Sequence, residues 1–227
     1  KDFIVPYIIL PPLEYDFEAQ RLKKTIQEHI EPMPNRIKKK WGKRLALLDF
    51  HDSLENKIMD NGDSVVKYVH TEALAMGCKL IPVISLQKSN AYLAEVQSVV
   101  TTQKNGIVLR LFLEDLDKLT INDEIDKILN FFELGINDID LIIDLRTPDK
   151  FEPYPLFSNL VYTKISYIND LKHYRSFIIA ANSLDLGKIK QPGGVFTRHE
   201  WVIYPYLVSK FKEKTPTFSD YTTDNIE

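Results

Sequence analysis

Short apolar runs alternate with longer amphipathic segments along almost the whole chain, and this alternation constrains the fold more than any other feature. Runs rich in Ile, Leu and Val fall at 3–10, 45–50, 79–85, 106–113, 140–145, 176–182 and 217–221. They show little strict polar–apolar alternation, as strands covered on both faces do. Between them, helical periodicity predicts segments at 16–30, 63–76, 91–103, 121–134, 156–171 (broken) and 198–211. In the second of these, Val65, Val66, Val69, Ala73 and Met76 recur at helical spacing, and Gly77 stands where a left-handed C-cap is wanted. Strands alternating with helices in this way predict βαβ units and a parallel sheet.

The 227 residues, 44% hydrophobic and 27% charged, suit one sizeable core, so a single domain over 1–227 is expected. Seven strands are one short of the (β/α) barrel, which closes with about eight strands in about 250 residues. The eighth would precede Lys1, and the absence of an initiator Met suggests a start inside a longer protein. A doubly wound open sheet is the alternative, but its G-x-G-x-x-G turn is missing. A TIM-like parallel (β/α) barrel, lacking its first strand, is the expected fold.

A net charge of -3 gives no general attraction to nucleic acid or anionic membrane, so an anionic partner has to be bound locally. The one basic cluster, 36–44, is read as solvated surface, with phosphate binding as the minority reading. Cys78 is alone, which excludes an internal disulfide and suits a reducing compartment. No apolar run reaches the ~18–20 residues that span a bilayer. A cytoplasmic chain with no membrane association is expected.

Several segments resemble the phage beta-protein family. They are Trp41-Gly42-Lys43-Arg44 with Ala46-Leu47-Leu48-Asp49, then Val108-Leu109-Arg110-Leu111, then 140–145. Near the end, Thr197-Arg198-His199-Glu200-Trp201 and Phe218-Ser219-Asp220-Tyr221 look like that family's R-x-E-W helix start and D-Y strand end. The likeness covers nearly the whole chain apart from a leading strand. It implies an antitoxin-like or phage-defence role, because the family is named for a prophage protein that keeps the gop toxin from killing its host. The expected partner is then a toxin or another defence component.

The chemistry-bearing residues can be weighed without that name. Barrels collect their functional groups at the C-terminal ends of strands. Those ends carry Asp49, His51 and Asp52; Asp144 and Arg146; Asn182 and Ser183; and Asp220 with Tyr221. Arg110 lies inside an apolar run and has to be paired if buried, with Asp144 the evident partner. The sharper reading makes Arg110 and Arg198 the holders of an anion such as phosphate. Thr197-x-x-Glu200 matches a capping box, while the functional reading makes Glu200 a general base or metal ligand. Trp201 reads as a core or rim anchor.

Asp49, Asp144, Glu200 and Asp220 with His51 could be assembled into a Mg²⁺ or Mn²⁺ site, though no spacing demands one. No G-x-S-x-G, H-E-x-x-H or Walker lysine loop is present. Two classes remain. One is a binding or regulatory protein with a ligand at the barrel mouth, using Arg110, Arg198, Tyr221 and Asp49. The other is a metal-assisted hydrolase of a phosphate-containing substrate, of phosphodiesterase or nuclease type, with Glu200, Asp220 and Asp144 as its catalytic carboxylates.

Overall fold

Each apolar run expected as a strand forms one. The computed structural model describes residues 4–148, 150–184 and 195–220, and the chain divides into two units, Lys1–Val108 and Leu109–Glu227. In the first unit β1 (Tyr7–Leu10), β4 (Leu45–Phe50) and β5 (Lys79–Ser85) lie side by side in that order, all parallel. Between β1 and β4 come a two-stranded hairpin, β2 (Tyr15–Asp16) with β3 (Arg21–Leu22), then α1 (Ile26–Ile30) and α2 (Met33–Trp41). The helices α3 (Val65–Ala75) and α4 (Asn90–Gln103) follow β4 and β5 and pack on each other. Their Val65, Val66, Val69, Tyr92 and Val96 are fully buried, as are Leu48, Val83 and Ile84 of the strands. Each such side chain contributes about 1.5–3 kcal/mol of burial.

The strand β6 (Ile107–Phe112) crosses from the first unit into the second. There β6, β7 (Ile139–Asp144), β8 (Ser176–Ala181) and β9 (Thr217–Asp220) are successive neighbours, with β7–β8 and β8–β9 parallel. The connecting helices are α5 (Ile121–Phe132), α6 (Tyr154–Ile165) and α7 (His199–Val208). Both units are therefore α/β with parallel pairing.

Two local expectations need correction. The helix expected over 16–30 is replaced by the hairpin and the short α1, because the Asp16 carboxylate accepts the N–H groups of Glu18 and Ala19 at 3.0 and 2.9 Å. This turn satisfies the backbone in a way that competes with helix. Helix begins only at Thr25, which forms a capping box with Glu28. The Thr197–Glu200 capping box does not form either. Arg198 occupies the N-cap of α7 without a side-chain cap, and Ser183 ties the helix start instead, its Oγ accepting the His199 N–H at 3.2 Å and lying 3.1 Å from the Thr197 carbonyl oxygen.

Candidate functional site

In the second unit Asp144 and Asp220 end their strands, while Asp140, the second residue of β7, is paired with Arg175 at the other end. Asp144 is the last residue of β7 and Asp220 the last of β9, and across the sheet they pair with Ala180 and Ala181 of the intervening β8. The Arg110 side chain on β6 donates through Nε and Nη2 to Asp144 Oδ2, at 2.8 and 2.5 Å. The Asp144 side chain is wholly buried, and its Oδ1 accepts the Arg146 N–H at 2.8 Å. A buried carboxylate in that position has to keep its partner, because removing one member of such a pair costs about 3–5 kcal/mol. The sequence expectation that Arg110 and Asp144 pair is met.

A second charged group forms around α7. The Glu200 side chain is fully buried and takes hydrogen bonds from Arg198 and from the Ser183 hydroxyl, while Arg198 also reaches Asp220. Hydrogen bonding to Glu200 raises the Arg198 guanidinium pKa above its ordinary value against the opposing effect of burial, and Asp220 adds to it. An arginine at the N-terminal end of a helix gains nothing from the helix dipole, and here two carboxylates offset that. Next to this group, His199 Nδ1 lies 2.7 Å from the Tyr154 hydroxyl, and its ring stacks on Phe151. Trp201 is half-exposed and rests on Phe218, ring centroids 4.4 Å apart, so it belongs to the rim.

Asp49 belongs to the first unit. Its Oδ2 accepts the Tyr7 hydroxyl at 2.6 Å and its Oδ1 the Phe50 N–H at 2.8 Å. The Lys88 ammonium, only 5% exposed, lies 3.7 Å from Asp49, 2.7 Å from Asp52 and 3.1 Å from Glu55, and donates to the Phe50 carbonyl at 2.9 Å. Burial by itself would depress the Lys88 pKa, but the three carboxylates outweigh it and hold it above the usual lysine value. His51 is a loop histidine whose Nδ1 binds Ser53. Tyr221 lies outside the described residues.

Sequence reasoning missed Tyr7 and Lys88 as partners. Lys88 follows β5 in a polar loop with no pattern to mark it, and Tyr7 sits in a run that reads only as strand. Ser183 was placed at its strand end from sequence, but its bonds to Glu200 and to the start of α7 were not foreseen. Among the described residues, no group of three His, Cys, Asp or Glu side chains is placed to hold a metal ion. Asp144, Glu200 and Asp220 are each engaged by a guanidinium.

The Beta protein family profile matches residues 1–227. The chain belongs to the Beta protein family. A comparison with curated proteins finds no match. For a member of this family, no helix among the described residues is long and apolar enough to cross a membrane.

Proposed function

We propose that this Beta protein family member is a cytoplasmic, antitoxin-like or phage-defence protein that acts through a protein partner, with a ligand site at the C-terminal strand ends. The observation that carries the reading is the state of the carboxylates: Asp144 and Glu200 are buried and locked to Arg110 and Arg198. A carboxylate whose oxygens are already taken by a guanidinium is not open to a metal ion or to a substrate proton, which favours recognition over hydrolysis. The partner of the reading is a toxin or another component of the same defence locus. Parallel pairing, and polar groups at strand ends, also support taking the strands as part of a (β/α) barrel.

The test is to express the chain with the toxin encoded beside it, comparing the native protein with Arg198→Gln. Native protein should protect, and the variant, although stranding the buried Glu200 lowers its melting temperature, should lose protection at least tenfold at a temperature where it is still folded. Protection that survives while the melting temperature falls by several degrees would make Arg198 a structural residue and overturn its place in the site. Turnover of a phosphodiester by the purified chain, abolished in Glu200→Gln, would favour the hydrolase instead.

A further inference from the structure

Arg146 stands apart among the residues at the end of the second unit's sheet. It has a left-handed backbone, φ 53°, which few residues other than glycine adopt. Lys104 and Glu133 share that conformation as the C-caps of α4 and α5, where a helix ends that way. Arg146 instead follows a strand. Both sides of it are pinned: its N–H goes to Asp144 Oδ1 at 2.8 Å, and its carbonyl accepts the Asn182 N–H at 2.8 Å. A conformation of this kind held by its surroundings is a mark of pre-organisation.

What it organises is a second guanidinium beside the first. Arg146 Cζ lies 4.0 Å from the centroid of the Phe112 ring and Arg110 Cζ lies 4.7 Å from the same centroid. One phenyl ring thus carries two cations. Asp144 neutralises Arg110, whereas the carboxylate nearest Arg146 among the described residues is Glu114, at 3.9 Å and itself 73% exposed. A solvated carboxylate at that distance is a weak, displaceable partner. Both guanidinium carbons lie within 4.7 Å of the same ring centroid, and a planar fork suits phosphoryl oxygens.

We propose that Arg146 and Arg110, splayed on Phe112, form a phosphate site that takes the phosphoryl group of a phosphomonoester or nucleotide ligand, with Glu114 as the group it displaces. This rests on the ligand-site reading above and gives that ligand its chemistry. A carboxylate ligand is disfavoured, because it satisfies one guanidinium and leaves the other.

The experiment is thermal denaturation of the full chain at pH 8 against inorganic phosphate, with acetate at matched ionic strength as control. Native protein should show a saturable rise with phosphate and none with acetate. Arg146→Gln should raise the half-saturating phosphate concentration at least tenfold, and Glu114→Gln should lower it severalfold. Toxin and phage play no part in this measurement, so it can fail while protection holds, and the reverse. The proposal is overturned if native protein shows no saturable response, if acetate matches phosphate, or if Arg146→Gln binds phosphate as native does.

Discussion

Acidification should unfold the first unit through His70, a residue with no part in either charged group. His70 lies on α3, is fully buried, and neither ring nitrogen has a hydrogen-bond partner. Its nearest aromatic neighbour is Phe50, with centroids 6.1 Å apart. With nothing to receive a proton's charge, burial pushes its pKa from 6.5 down to about 3. The folded value is depressed, so between the two pKa values the unfolded chain binds a proton that the folded chain refuses. The contribution is intact above pH 6.5 and is lost as pH falls towards 3, at about 1.4 kcal/mol per pH unit. Over the whole interval that amounts to at most about 5 kcal/mol, of which about 2 kcal/mol is gone by pH 5. His70→Leu removes the titration while keeping an apolar side chain of similar size, and it also relieves two unsatisfied ring nitrogens, each costing about 1–3 kcal/mol. Urea unfolding of native and variant protein at pH 7 and pH 5 isolates the effect, because every other titrating group cancels in the difference. The variant should be at least as stable as native at pH 7 and should gain a further ~2 kcal/mol on native at pH 5, several degrees in Tm. A difference that stays the same at both pH values would refute the reasoning.

Two further outcomes follow from the buried ion pairs. Arg110→Leu should cost about 3–5 kcal/mol by stranding Asp144, and the double variant with Asp144→Leu should recover most of it, a double-mutant cycle read by chemical denaturation. Lys88→Met should likewise destabilise by about 3–5 kcal/mol, since it strands the buried Asp49, a loss that thermal melts at pH 7 would show.

The strands of the parallel sheet, and five of the seven helices among the described residues, α3 to α7, were legible in the sequence because apolar periodicity records burial directly, whereas α2 lies in a stretch read only as a basic surface. A run such as 140–145 has to be covered on both faces whatever its neighbours are, and β7, at 139–144, is buried throughout. The pairing of Arg110 with Asp144 was legible for the same kind of reason: a charge inside an apolar strand has to find its opposite on an adjacent strand. The hairpin at 15–22 was not, since the period there is helical and a single carboxylate, Asp16, captures the backbone first.

The candidate sites divide along the same line. Residue type and strand position pointed to Asp49, Arg110, Asp144, Arg198, Glu200 and Asp220 and paired Arg110 with Asp144, without saying where Asp49 and Glu200 would turn. Only tertiary structure decided that Asp49 belongs with Tyr7 and Lys88 in the first unit, while Arg198 joins Glu200, Ser183 and Asp220 in the second. It also decided that Glu200 would turn inward to Ser183 and Arg198 instead of back to its own helix start. Local sequence favours a capping box at Thr197, but that hydrogen bond is worth only about 1 kcal/mol, and a buried carboxylate gains more from a guanidinium. Periodicity along one segment determines where the chain is buried. Which polar groups meet depends on residues tens of positions apart, and no local pattern carries that information.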